Sequence, residues 1–147
     1  MTEMTENFKN FVEKFKVKDM LIYETAYWQW TLRPSQPTLG CGVLSLKRAA
    51  EKMMDLTEEE GADLIRIIKV IEKTLYKAFP VKKMNYIMYM MVDFHVHYHI
   101  IPRYSENQNF DGVEFVDKGW PKPPVLDADA VSEETLIKMK DFIMENI

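Results

Sequence analysis

The sequence predicts an α+β domain: a mainly antiparallel sheet of about five strands, one long helix, and a further helix at each end. Three observations carry that prediction. One long segment repeats its apolar residues at helical spacing, several short runs alternate with the period of half-buried strands, and the two kinds are not interleaved one for one. A doubly wound parallel sheet would need that interleaving.

Each element has its own signal. Phe8, Phe11, Val12 and Phe15 recur at three- and four-residue spacing among Glu, Lys and Asn, which predicts an amphipathic N-terminal helix that packs on a sheet or a partner. "MLIYE" (Met20 to Glu24) and "YWQWTL" (Tyr27 to Leu32) are two predicted strands, the second with Trp28 and Trp30 on one face. The loop "RPSQPTLG" leads to a third strand, "GVLSLK", from Gly42 to Lys47. Thr57 with Glu60 three residues on is a capping-box pair, placed before the apolar repeat Leu64, Ile67, Ile68, Ile71, Leu75 and Phe79. This is the long helix, ending before Pro80.

"MNYIMYMMV" and "HVHYHIIPRY" are predicted as two more strands, joined so closely at Asp93 and Phe94 that they form a hairpin or one continuous bent pair. From Ser105 to Ala130 the chain reads as loop, rich in Pro, Asp and Gly, with a short aromatic element "VEFV" inside it. Ser132 caps a terminal helix bearing Leu136, Met139, Phe142 and Ile143. There are no internal repeats and no low-complexity linker, so residues 1–147 read as one domain with its core over about 20–121.

Composition narrows the function. A chain of 147 residues buries enough surface to fold without disulfides or metals. The formal net charge of -4 and the lack of a long basic run disfavour a nucleic-acid polymer as partner, since neutralising phosphates takes a surplus of Lys and Arg. No apolar run approaches the roughly 20 residues that cross a bilayer, and "MTEMTENFKN" lacks the charged-then-apolar layout of a secretion signal. A cytoplasmic location is expected, and the single Cys41 is compatible with a reducing compartment. Cys41 lacks the neighbouring base of a catalytic thiol, and the eleven Met residues offer adaptable packing rather than a cofactor site.

All three histidines fall in "DFHVHYHIIPRY", as His95, His97 and His99. On a strand these share one face with Ile101, while Val96, Tyr98 and Ile100 share the other and can pack against the long helix. Three readings are open. As core residues, three imidazoles would each need partners in one small volume, and an unsatisfied buried polar group costs about 1–3 kcal/mol. As a metal site, His95 and His99 start about 13 Å apart at about 6.6 Å per strand pair of residues, too far for one ion unless two of them combine with a carboxylate from elsewhere. As a phosphate site, neutral imidazole is a nucleophile and its neighbours can hold oxygens or protonate a leaving group. His97 has a donor on either side.

At these residues the chain resembles the histidine-triad family, whose signature alternates His with apolar residues. His95-Val96-His97-Tyr98-His99-Ile100-Ile101 matches every position, and Pro102-Arg103 is similar to the branch containing diadenosine polyphosphate hydrolases. "GVLSLKR", "LTEEE", "EKTLYKAF", "MNYIMYM" and "GWP" extend the likeness to bacterial members of that branch over roughly residues 20–121. The resemblance implies an antiparallel sheet with a long helix, paired into a homodimer with a continuous sheet, and no cofactor. It implies cleavage at the α-phosphate of a nucleotide, with His97 attacking to form a nucleotidyl-histidine that water hydrolyses. His99 would then assist the leaving group, and His95 would orient the pocket and bind phosphate. Dinucleoside polyphosphates or similar nucleotide conjugates are the expected substrates, and a nucleotide-binding regulatory protein with little turnover is the alternative.

Several positions depart from the family pattern. Further histidines common in members are replaced by Cys41-Gly42 and by Lys47-Arg48-Ala49, and the phosphate-cradling loop before the triad is Met91-Val92-Asp93-Phe94. An Asn that commonly meets the ribose is missing, with Arg33 near its place. Arg33 and Arg103 are therefore candidates for phosphate binding, because a guanidinium fork matches phosphate oxygens. Asn85, on the strand beside the triad, is a third candidate. Trp28, Trp30 and Trp120 are read as core or as base-stacking groups, and Asp93 as a turn residue or an orienter of an imidazole.

Overall fold

The computed structural model describes residues 2–147 and has the expected α+β architecture. Helix α1 (Glu3–Lys14) opens the chain with Thr2 as its cap, its hydroxyl accepting from the Thr5 amide. Strands β1 (Leu21–Glu24), β2 (Trp28–Leu32) and β3 (Gly42–Leu46) follow, then helix α2 (Glu58–Ala78), β4 (Lys83–Ile87) and β5 (His97–Arg103). The five strands form one sheet in the order β1-β2-β3-β5-β4, every neighbouring pair antiparallel. A small hairpin of β6 (Gln108–Phe110) and β7 (Val113–Phe115) and helix α3 (Glu133–Glu145) complete the chain.

The capping box at Thr57 forms as its spacing predicts, with the Thr57 hydroxyl accepting from the Glu60 amide and the Glu60 carboxylate accepting from the Thr57 amide. Glu60 also takes two hydrogen bonds from Arg48, which hold its carboxyl down at about 2. The 21-residue helix that follows buries Ile67, Ile71 and Leu75 against one face of the sheet, where Trp28, Trp30, Leu44, Leu46 and Ile100 stand. Both tryptophans are wholly buried there, and the Trp28 indole N–H donates to the Glu60 carbonyl. They are core groups, closed to any base. Helix α3 packs on the same side through Leu136, Met139 and Ile143.

Helix α1 covers the opposite face. Its stripe of Phe11 and Phe15 joins Val17 and Val43 in a second apolar cluster. Because β3 sets Val43 opposite His99 and Ser45 opposite His97, that is the face on which the histidines stand. The domain is thus a sheet between two helical layers, α2 with α3 on one side and α1 on the other.

Three expectations change. The strand expected over residues 84–92 stops at Ile87, and the one expected from His95 starts at His97, so residues 88–96 form a loop that joins an antiparallel pair. Met90 has a φ of 52° in that loop, a left-handed conformation that breaks the extended run. The segment read as loop from Ser105 contains a hairpin whose turn is Asp111-Gly112, both with positive φ.

Candidate active site

The site is built where β5 passes beneath α1. His97 and His99 share a face of β5 with ring centroids 5.0 Å apart and planes at 84°. Phe11 lies 4.9 Å from the His97 ring and 5.0 Å from the His95 ring, and Phe15 lies 6.1 Å from both His97 and His99. These contacts remove water from the imidazoles. Burial pushes the His97 pKa below its ordinary value, and pushes His95 and His99 down to about 4, so all three are neutral at pH 7.

Hydrogen bonds fix the tautomers of His95 and His97. The ring of His97 meets the backbone carbonyl of His95 through Nδ1. A carbonyl only accepts, so the proton sits on Nδ1 and the lone pair on Nε2, where no protein partner reaches it among the described residues. His95 is held differently: its Nε2–H donates to the Leu46 carbonyl at 2.8 Å, and Phe8 closes on its ring at 4.6 Å. His95 is 1% exposed and does not line the cavity that His97 and His99 share. What His95 gives is the carbonyl that orients His97.

That cavity measures about 480 Å³. Lys14 at the end of α1 and its C-cap Phe15 form one wall, Arg33, Pro34 and Ser35 a second, and residues 89–93 a third. Lys14 and Asp93 form an ion pair at 2.7 Å, which ties the end of α1 to the loop before β5. Asp93 therefore neither orients an imidazole nor merely shapes a turn. The rest of the loop wall is Tyr89, Met90, Met91 and Val92, apolar apart from the Tyr89 hydroxyl.

Arg33 is the expected residue that the fold does bring to the histidines. It follows β2, its backbone amide donates to the Cys41 carbonyl at 2.9 Å, and its carbonyl accepts from the Gln36 side-chain amide at 2.7 Å. Its Nε and Nη1 are buried with no hydrogen-bond partner among the described residues, and burial lowers its pKa. Cys41 beside it is fully buried, hydrogen-bonds Thr38 through Sγ, and has its thiol pKa pushed up by burial, which is the opposite of an activated nucleophile.

Asn85 and Arg103 are placed elsewhere. They stand on the same face, but Arg103 is four residues beyond His99, about 13 Å along an extended strand. Arg103 donates to both oxygens of Asp117, to the Asn85 side-chain oxygen at 2.9 Å and to the Lys122 carbonyl at 2.7 Å. Four of its five donors are taken by protein, with Trp120 over the guanidinium at 5.9 Å. The two residues brace the chain after β7 and lie outside the cavity that His97 and His99 line. Sequence reasoning missed Phe11, Phe15 and Lys14 as parts of the site. The amphipathic stripe of α1 was visible, but not the face it covers. Among the described residues no three His, Cys, Asp or Glu side chains cluster to hold a metal ion, and no helix is long and apolar enough to cross a membrane.

Comparison with known proteins agrees with this geometry. The HIT domain family model matches residues 15–106. A protein of Schizosaccharomyces pombe named adenosine 5′-monophosphoramidase is 35% identical over 105 residues, covering 69% of this chain and 74% of its own. Among solved structures, a histidine-triad protein of Sinorhizobium meliloti superimposes with a TM-score of 0.71 at 22% identity, covering 90% of this chain and 93% of its own. A histidine-triad nucleotide-binding protein of Sulfolobus tokodaii, described as hypothetical, gives 0.66 at 18% identity, over 99% and 91%. At those identities the two structures show a shared fold. Together with the family match and the complete triad, they establish that this chain belongs to the HIT domain family, the histidine-triad proteins.

Proposed function

We propose that the protein cleaves nucleotide conjugates at the α-phosphate, with His97 as the attacking group. One observation carries this reading: the Nδ1–H of His97 is held by the His95 carbonyl, which leaves the Nε2 lone pair free beside a cavity that also holds His99 and Arg33. A neutral imidazole with a fixed tautomer is a prepared nucleophile. Attack on phosphorus forms a P–N bond to Nε2 and breaks the bond to the leaving group, and water then hydrolyses the nucleotidyl-histidine. His99, edge-on to His97, is placed to hydrogen-bond the bridging atom as it departs. Arg33 supplies the positive charge, since Lys14 is already neutralised by Asp93.

The S. pombe relative's name favours a phosphoramidate, in which the leaving atom is nitrogen, over the dinucleoside polyphosphates that the sequence suggests. Both belong in the test. Strand β4 has one neighbour, β5, and its other edge is free to pair with a second copy and continue the sheet, so a homodimer is part of the proposal. A cytoplasmic location is supported by the single buried thiol alone.

The test is a hydrolysis screen over nucleoside phosphoramidates and dinucleoside polyphosphates, with His97→Asn alongside the natural protein. Turnover that vanishes in His97→Asn supports the proposal, and undiminished turnover in that variant rejects it. Binding of AMP without turnover of any conjugate favours the regulatory alternative.

A further inference from the structure

We infer that Lys14 is a second phosphate-binding residue of this cavity and that Asp93 is its built-in competitor: an incoming nucleotide phosphate takes the ammonium from the carboxylate, so the pair sets how tightly the site holds an anion. The inference rests on the reading of the cavity as a nucleotide site.

Among the residues lining the cavity, Lys14 and Arg33 are the cations and Asp93 is the anion. Asp93 holds Lys14 at 2.7 Å, so the wall contributed by α1 presents no net charge while the two stay together. The hold is weak and incomplete. An ammonium has three donors, of which Asp93 accepts one. The Lys14 side chain is 50% exposed, and pairs of that kind shift an equilibrium by no more than ~5-fold. A phosphate carries more charge and more acceptor oxygens than a carboxylate, which gives it the advantage for a cation held so loosely. Arg103 and Asp117 show the contrast: that pair is 5% and 2% exposed, is joined through both carboxylate oxygens and lies outside the cavity.

Lys14 is also well placed. Its Nζ stands 5.3 Å from the centroid of the Phe15 ring, which in turn lies 6.1 Å from His97 and from His99. One aromatic ring separates the ammonium from both imidazoles. Burial governs the His97 pKa, followed by the His95 carbonyl; the charges that act on it after these are Asp93, which raises it, and Lys14, which lowers it. Charges that reach the His97 ring also reach a phosphate bound to it. Asp93 lines a further hollow of about 250 Å³ with Asn7 and Asn10, whose side-chain amides can receive the displaced carboxylate. The HIT domain match begins at Phe15, one residue after Lys14, so this cation is one that α1 adds to the family domain.

The experiment is a double-variant cycle read by calorimetry on the natural protein, Lys14→Met, Asp93→Asn and the two combined, with AMP as the anion and adenosine as its uncharged control. Asp93→Asn tightens AMP binding, because the competitor is gone. In the Asp93→Asn background, Lys14→Met weakens AMP binding ~10-fold, the worth of a charge-assisted hydrogen bond. In the natural background the loss is smaller by ~2- to 5-fold, because removing Lys14 also ends the competition. Adenosine binds all four proteins alike. Two results overturn the inference: no effect of Lys14→Met in the Asp93→Asn background, which means that Lys14 binds no phosphate, or an equal or larger loss in the natural background, which means that Lys14 only screens Asp93. A loss of adenosine affinity matching that of AMP also overturns it. If the natural protein binds no nucleotide, the reading of the cavity fails separately, and the same cycle with pyrophosphate decides the role of Lys14 by the same criteria. Failure of the Asp93→Asn protein to bind pyrophosphate then contradicts the inference.

Discussion

Phe11 of α1 sits with its ring 4.9 Å from that of His97 and is itself 1% exposed, so the N-terminal helix is the roof of the candidate active site. The contact joins packing to chemistry. The same ring that anchors α1 on the sheet dries the imidazole and favours its neutral form. Phe11→Ala removes a buried aromatic, a change that costs ~3–5 kcal/mol where the site does not collapse. It also raises the His97 pKa toward the ordinary histidine value. NMR titration of the three histidines checks this directly, and the acid limb of kcat/KM should move to higher pH in step with it.

Acidification should begin to destabilise the protein before its carboxylates protonate. His95 and His99 titrate at about 4 in the folded chain, below their ordinary value of 6.5, because burial penalises the charged ring. The unfolded chain therefore binds more protons between those values, and stability falls as pH drops from 6.5 toward 4 and is fully present above 6.5. Glu60, held at about 2 by Arg48, loses its contribution only at lower pH. Urea midpoints measured from pH 7 to pH 5 should decline. A flat profile over that interval would mean the two imidazoles are not buried as described.

Arg103 and Asp117 should behave as a structural pair. Their side chains are 5% and 2% exposed, and removing the cation leaves a buried carboxylate with only the Tyr104 amide donating to it. Arg103→Met is expected to cost ~3–5 kcal/mol. The double variant Arg103→Met with Asp117→Leu should recover much of that loss, as denaturant unfolding of the set would show.

The Lys14–Asp93 bond should contribute little to stability despite its length of 2.7 Å. Lys14 is half exposed, and exposed pairs give ~0.2–1 kcal/mol. Asp93→Asn is expected to shift the melting temperature by only a degree or two, checked by calorimetry at low and high salt.

Local pattern and tertiary placement divide what could be read from the chain. Period-two spacing placed His97 and His99 on one face of a strand, and the capping pair Thr57 and Glu60 located α2, because both signals lie within a few residues of each other. The strand ends were misplaced where Met90 turns left-handed, a conformation that an unbranched apolar residue does not announce. The Asp111-Gly112 turn was a legible hairpin signal, obscured by strands of three residues each. The fates of Arg33 and Arg103 could not be separated by sequence. Both are arginines near a strand end, and only the folded chain brings Asp117, fourteen residues away, to one and leaves Nε and Nη1 of the other without a partner among the described residues. The roof over the histidines was hidden for the same reason, since a helical stripe shows that a face is buried but not what it buries.

The most direct test of the account is to quench the reaction of the protein with a nucleoside phosphoramidate in acid-free denaturant and map the modified peptide by mass spectrometry. The account predicts a nucleotidyl group on His97 and its absence in His97→Asn. Turnover with no adduct on His97, or an adduct on His99 or Cys41 instead, would contradict it.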